Sequence, residues 1–424
     1  MMGFNGRHFL YGLGVLIITV LICVMVGALS FSTLFLDPVG QVIKSFHFTD
    51  SYFYIENNSE GMSDANPDVV LYDLSGCYSR AEIAGAVQNL YDKGAKAIAL
   101  DVIFGGTSAH DPSANDSLMN VMRRCHDRVI AACRAVPTMD GFSFESSFFA
   151  KETGCHEACV NVENDIVRTF TPTLCFGDTC LPTFVSVITE LAYPEEHKAW
   201  VERGEQKSLI NYKYVFFDRW HIYDEITEED VKDRVFLFGD FSDLRDFHSI
   251  PVEIDGARRI SGTTIHAYAI TTITKERLIT LMSERAGLIW GVVISFFFCV
   301  LCCQVTEKYD KIAGLVMNVY QIALLLILAF LGGVVFFKLR YNVNLVYVML
   351  GIGLAGFSTD LWYYITTTRL YLFFANLKKD KKRDLEVAEV AEEGSTEKVE
   401  NEEKIEISET NTEAETPLPS DTNK

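Results

Sequence analysis

Four long stretches of this chain carry almost no charge, and they decide what it can fold into. Phe9–Leu36, Ala286–Val305 and Ile312–Phe337 contain no charged residue, and Val343–Ile365 contains only Asp360, near its end. A helix needs about 20 residues to cross a hydrocarbon core, so each run is long enough. The apolar positions do not keep to one face, as they would on a surface helix of a soluble domain. The sequence therefore predicts four transmembrane helices, over 9–36, 286–305, 312–337 and 343–365. A cleaved leader is the competing reading of the first, since Arg7 and His8 precede it and Ala28-Leu29-Ser30 resembles a weak cleavage site. A leader's apolar core is about 7–15 residues. This run is much longer, so an uncleaved anchor is expected.

Lys and Arg gather on the cytoplasmic side of spans. Arg369, Lys378, Lys379, Lys381, Lys382 and Arg383 follow the fourth run, Arg7 precedes the first, and Lys308 and Lys311 lie between the second and third. Lys338 and Arg340, in the opposite loop, are the one discordant pair. The majority places residues 1–8 and the tail 366–424 in the cytoplasm and residues 37–285 outside. Trp362, Tyr363 and Tyr364 close the fourth run as an interfacial belt. From Leu385 onward thirteen acidic residues face three lysines, with no aromatic residue. Such a segment buries too little apolar surface to offset its ordering entropy and is expected to be disordered. It holds about half of the net charge of −20, so that acidity describes the tail more than the folded domain. No nucleic-acid partner is expected.

Between the first and second runs, apolar strands alternate with amphipathic helices. Asp68–Asp73 and Ala97–Phe104 read as buried strands, and Arg80–Lys93, with Ile83, Ala86, Val87, Leu90 and Tyr91 at helical spacing, as the helix between them. Gly94 stands where a helix-ending glycine belongs. Further strands are predicted at Arg128–Ala132, Cys159–Val162, Thr169–Leu174 and Arg234–Gly239, and helices at Ser117–Cys125, Leu181–Leu191 and Thr263–Thr274. Strand–helix–strand order implies parallel pairing. The expected fold class is an α/β extracytoplasmic domain with a mostly parallel sheet, plus four transmembrane helices, one N-terminal and three C-terminal.

Ligands of such sheets sit at the carboxyl ends of the strands. Asp73, Asp101 and Asp240 fall there; Asp246 and His248 follow the last strand, and His266 lies in the next helix. Asp and His together can hold a divalent cation or a small polar ligand. Equally, they can cap helices and bond loops at the sheet edge. No compact ligand spacing such as H-E-x-x-H is present, so neither a metal site nor a cofactor is expected.

At these residues the sequence resembles the second class of CHASE domains (cyclase/histidine-kinase-associated sensory extracellular domains). Gly94-Ala95-Lys96-Ala97-Ile98-Ala99-Leu100-Asp101-Val102-Ile103-Phe104 is similar to that family's block of Gly-Ala-Lys, apolar strand, Asp and Phe. So are Arg234–Asp240 followed by Asp246-x-His248-x-x-Pro251, and then Gly262-Thr263-Thr264-Ile265-His266-Ala267. One span before the domain and three after it agree as well, so the resemblance covers residues 10–366. Two features depart from it. The Trp/Pro-rich stretch usual after the first strand is missing, although Arg80 is in the expected place, and Ile250 replaces the threonine that often precedes the motif's proline. The resemblance implies a bacterial sensory input module in the inner (cytoplasmic) membrane, its main domain in the periplasm. The candidate ligand-binding residues are therefore Asp73, Arg80, Asp101, Asp240, Asp246, His248 and His266. Relatives usually continue into a kinase or cyclase, and 366–424 is too short for a phosphate-cradling loop or a cyclase pattern.

Seven cysteines lie in the external region: Cys77, Cys125, Cys133, Cys155, Cys159, Cys175 and Cys180. That compartment permits disulfides. Cys175 and Cys180 flank Phe176-Gly177-Asp178-Thr179, a hairpin turn that sets them opposite each other. Cys155-His156-Glu157-Ala158-Cys159 is an incomplete zinc set, so a second disulfide between Cys155 and Cys159 is the expectation. Cys23, Cys299, Cys302 and Cys303 read as small apolar residues within spans.

Three functions follow. A sensor would bind an unidentified small molecule or protein outside and pass the change through its spans to a separate cytoplasmic or membrane signalling partner; a homodimer is compatible with the topology. A scaffold would recruit partners without sensing. An enzyme would require Asp101, Asp246, His248 and His266 to converge; no catalytic residue is assigned. The sensor is the leading expectation.

Overall fold

The computed structural model describes residues 6–32, 47–59, 64–77, 79–107, 111–139, 141–162, 166–309 and 312–367. The chain start 1–5, the segment 37–46, and the basic cluster from Arg369 to Arg383 with the acidic tail after it lie outside the described residues.

After α1 (Gly6–Ser32) and α2 (Phe48–Ser59), strands and helices alternate through β1 (Asp64–Asp73), α3 (Arg80–Asp92), β2 (Ala97–Leu100), α4 (Pro112–Arg124) and β3 (Val129–Thr138). Next come β4 (Gly141–Ser146), the single turn α5 (Ala150–Thr153), β5 (His156–Cys159), β6 (Thr169–Phe170), β7 (Thr173–Phe176) and β8 (Thr179–Pro182). The chain continues through α6 (Phe184–Ala192), α7 (Pro194–Glu202), β9 (Ser208–Leu209), β10 (Val215–His221), α8 (Glu228–Val231) and β11 (Val235–Gly239). A hairpin of β12 (Phe247–Ile254) and β13 (Ala257–Ser261) leads into α9 (Gly262–Thr274) and β14 (Thr280–Leu281). Last are α10 (Glu284–Tyr309), α11 (Ala313–Leu339), β15 (Tyr341–Asn342) and α12 (Val346–Thr367).

Two compact units divide the chain. The larger comprises residues 24–293 and 322–350 and is built on a mixed, mostly parallel sheet in the order β10-β1-β11-β2-β3-β4, with β5 also on β3. Only β4 runs antiparallel to its neighbour. Alternation along each strand splits the side chains between two buried faces. Leu71, Leu237, Ala99 and Ile130 align across β1, β11, β2 and β3 and face a core shared with α2, α6 and α9. Their neighbours Tyr72, Phe238, Leu100 and Ala131 face the opposite core, with α3 and α4. Fully burying one such side chain contributes about 1.5–3 kcal/mol, which is why these strands read as continuous apolar runs. Ser79 and Glu82 form a capping box at the start of α3, and Gly94, at φ +85, ends that helix before β2.

β2 ends at Leu100 rather than at the predicted Phe104. Asp101 still donates its amide to Phe238 O (2.9 Å), but Val102 and Ile103 then turn away to line a cleft and Phe104 returns to the core. Unpredicted from sequence were, among others, α2, β4, α7, the edge strand β10 and the β12–β13 hairpin, and the strand expected at Cys159–Val162 lies instead at His156–Cys159. Within this unit α2 packs on α11: Tyr52 donates to Ala329 O (3.2 Å) and meets Phe336, and the buried Glu56 faces Arg340 at 3.4 Å. A two-residue parallel bridge joins β14 to β15.

In the second unit, residues 1–23, 294–321 and 351–424, small residues let helices approach closely. A Cβ on Gly12 would fall 2.4 Å from Val300, and one on Gly14 2.4 Å from Trp362. Gln321 donates to the carbonyls of Ile352 and Gly353 at 2.9 and 2.6 Å, satisfying a polar group among apolar helices. Among the described residues, three helical stretches are long and apolar enough to cross a membrane: Gly6–Met25, Glu284–Tyr309 and Ala313–Leu339. The fourth predicted span forms a helix, α12, beginning three residues later than expected, where Asn344 Oδ1 accepts from Val346 N at 3.3 Å.

Gly239, at the carboxyl end of β11, shows how tightly the sheet meets α9. A Cβ there would stand 2.2 Å from Thr263 Oγ1 and 3.0 Å from its Cβ. Gly239→Ala is expected to destabilise the domain by about 1–3 kcal/mol through overpacking, read as a lower denaturation midpoint of the full-length protein in detergent; an unchanged midpoint would contradict this packing.

Candidate functional site

The carboxyl ends of β1, β11 and β2 lie side by side, and β11 between them ends in Gly239. Because that residue has no side chain, Thr263 in the first turn of α9 reaches past it and donates its hydroxyl to Asp101 Oδ2 at 2.8 Å. Ser261 caps α9 by accepting from Thr264 N. The next amide, Gly262 N, donates to Asp246 Oδ2 at 3.0 Å, and a Cβ on Gly262 would be 2.9 Å from Asp246 Oδ1. Two carboxylates therefore sit against one helix N-terminus, where the helix dipole favours negative charge.

Both open on a cavity of about 890 Å³. Asp240 also lines it, held by the amide and hydroxyl of Ser242 at 2.9 and 2.6 Å. Sequence reasoning missed four charged lining residues. Arg134 and Glu145 face each other across the β3–β4 hairpin and pair at 2.6 Å; Asp243 and Arg245 pair at 2.8 Å. The first pair was hidden because the hairpin was not predicted; the second was visible only as Asp-x-Arg in a loop. Each arginine is engaged by its own carboxylate, so Asp101, Asp240 and Asp246 are left to hydroxyls and amides. The cleft is net acidic and suits a cationic or hydrogen-bond-donating ligand.

Of the other candidates, His248 stands 3.7 Å from Asp246, ion-pair distance rather than a hydrogen bond. Asp73 accepts from Ser75 and from Arg219 Nη2 at 2.6 Å, and does not line the cavity. Arg80 donates to Asn115 (2.6 Å) and lies over Phe104 and Phe148, away from the acids. His266 is buried against Phe184 and lines a separate, mainly apolar cavity of about 330 Å³. Cys175 and Cys180 are joined across the β7–β8 hairpin. Cys155 and Cys159 are not joined: Cys155 immediately precedes β5 and Cys159 ends it, so an extended run of four residues, roughly 13 Å, separates them, and both thiols are free. Among the described residues, no group of three or more His, Cys, Asp or Glu is arranged to hold a metal ion.

Electrostatics separates these groups. Burial first, then the charge of Asp246, pushes Asp101 up from 3.8 to about 7, against the Thr263 hydrogen bond and His248. Asp101 therefore changes charge near neutral pH. Burial likewise pushes His266 down to about 4 and keeps it neutral. Burial opposes ionisation of Asp73, but Ser75 and Arg219 outweigh it and hold that carboxyl low. Arg245 holds Asp243 down to about 2.

A raised carboxylate pKa means that the folded state binds the proton more tightly than the unfolded one, so stability is lost as pH rises from the unfolded value through the folded one. Asp101→Asn removes this loss. Relative to wild type the variant is expected to gain stability between about pH 4 and pH 7 and to keep a constant offset above that; parallel denaturation curves across the range would show that Asp101 does not titrate as described.

Comparison with known proteins places this geometry. A family model for the CHASE2 domain matches residues 64–301, from the first strand of the sheet into α10. The comparisons with curated proteins and with solved structures each found no match. The match takes in the sheet, the acidic cleft and the start of the helix after the domain, and covers more than half of the sequence: the chain belongs to the CHASE2 domain family of sensory extracellular domains.

Proposed function

We propose that this protein is a multi-pass membrane sensor. Its cleft at Asp101 and Asp246 takes a cationic or proton-donating ligand outside the membrane, and α9 carries the change to the spans. The supporting observation is the position of α9. Its first turn is bonded to both carboxylates, and eleven of its thirteen residues are buried, so it moves as a rod or not at all. Its far end runs through β14 into α10. A ligand that neutralises Asp101 or Asp246 weakens their hold on the helix terminus and biases that rod.

In this reading α12 is a fourth span, both termini are cytoplasmic, the domain faces the periplasm of a bacterial inner membrane, and a separate protein receives the signal. The basic residues at the cytoplasmic ends support it, and the discordant Arg340 is accounted for by its contact with Glu56. An external enzyme is less well supported. Asp101, Asp246 and His248 gather, but His266 faces the other cavity and Asp246–His248 lacks the contact a proton relay needs.

The test is to titrate the full-length protein in nanodiscs with divalent cations, polyamines and amino acids while following thermal stability and hydrogen exchange of α9 and residues 275–284. A ligand should raise the midpoint and alter exchange in both segments, and Asp246→Asn should weaken its binding about tenfold, or 1.4 kcal/mol. Binding confined to the cleft, with exchange in α9 unchanged, would sink the transmission reading; no binding at all, together with no midpoint change between pH 5 and 8 attributable to Asp101, would sink the sensor at this cleft.

A further inference from the structure

The parallel register of β3 and β5 sets Cys133 directly opposite Cys159. Residues so paired project to the same face of a sheet, with strands about 4.8 Å apart, within the Cα separation from which a disulfide closes. The two thiols influence each other electrostatically, and Cys159 donates its S–H to Asn161 Oδ1 at 3.1 Å. Both thiols are free and buried, Cys133 at 4% and Cys159 at 0% exposure. Apart from one bridge to Thr183, β5 pairs with β3 alone, so it can shift the few tenths of an ångström that bonding requires.

We propose that Cys133 and Cys159 are the site of a second disulfide in the external domain, closed by exchange with a disulfide oxidant such as oxidised glutathione or a dithiol oxidase. The Cys159 thiolate attacks one sulfur of the oxidant's S–S bond, and the other leaves as a thiolate. Cys133 then attacks Cys159 in the mixed disulfide and expels the second thiolate. The pair gives up two electrons, the two leaving thiolates take up the two protons, and the oxidant ends as two thiols. Cys159 is the attacking sulfur because it lines the 330 Å³ cavity, which Cys133 does not. The neighbouring Cys133, working against burial, also brings the Cys159 thiol below its ordinary range.

The bond would fix a wall shared by both cavities. Val160, next in the chain, lines the acidic cleft, and its carbonyl interacts with His266. Asn161 bridges Ala135 N and O at 2.8 and 2.9 Å. None of this depends on whether the cleft takes a ligand.

The full-length protein in detergent would be equilibrated in glutathione buffers from reducing to oxidising, quenched with acid, alkylated and mapped by peptide mass spectrometry without reduction. The expected result is a Cys133–Cys159 linked peptide that appears in the oxidising buffers and is lost on adding dithiothreitol. Both cysteines alkylated throughout, or Cys159 linked to another cysteine, would overturn the proposal. The paired change Cys133→Val and Cys159→Val keeps apolar volume at both positions and should abolish any oxidation-dependent rise in midpoint beyond that due to Cys175–Cys180. An undiminished rise counts against the proposal; if the variant does not fold, the wild-type peptide map decides alone.

Discussion

The carboxylates of Asp101 and Asp246 are held against the first turn of a buried helix, and much of the domain is arranged to keep them there. Asp101 reaches α9 only because Gly239 leaves space for the Thr263 hydroxyl. Asp246 reaches it only because the short turn after Asp243 returns the chain to Gly262. Each contact satisfies a polar group that would otherwise cost about 1–3 kcal/mol if buried unpaired. Together they place two like charges beside one helix terminus. The terminus relieves part of that repulsion; burial first, and the remaining repulsion second, raise the pKa of Asp101.

The sheet explains why this edge, and not another, became the acidic one. Burial on both faces leaves the central strands β11 and β2 no exposed side, so polar groups collect where those strands end. Asp73, Asp101 and Asp240 all fall at such ends, yet they fare differently. Arg219 claims Asp73, Ser242 holds Asp240 toward solvent, and Asp101 alone is drawn under a neighbouring helix. Position along the strand is therefore shared among the three acids, while the partners each carboxylate meets are set by the element packed beside it.

That distinction also marks what could be read from the residues alone. The β1–α3–β2 unit was legible because apolar runs, helical spacing and Gly94 each report a local cause. Asp73, Asp101 and Asp240 were legible as strand-end acids, and Asp246 as an acid just beyond the last strand. That Arg80 leaves the site for Asn115, or that Arg134 and Glu145 join it, depends on pairings between distant segments. Cys155 and Cys159 invited a link because they are close in sequence, whereas strand geometry sets Cys159 beside Cys133. That Arg340 pairs with Glu56, a buried acid on α2, is likewise invisible to a rule that only counts basic residues near spans.

The contacts near α11 carry a mechanical consequence. Tyr52 and Glu56 meet α11 and its end, and the β14–β15 bridge ties the run-out of the domain to the turn before α12. A body tethered by one flexible linker can swivel, and its orientation carries no information. One pinned at several separated points has lost that freedom and keeps only small rocking motions about the line joining the pins. Under the proposed sensor reading, clamping of this kind would let the domain act as a stiff lever on a helix that is not its neighbour in sequence.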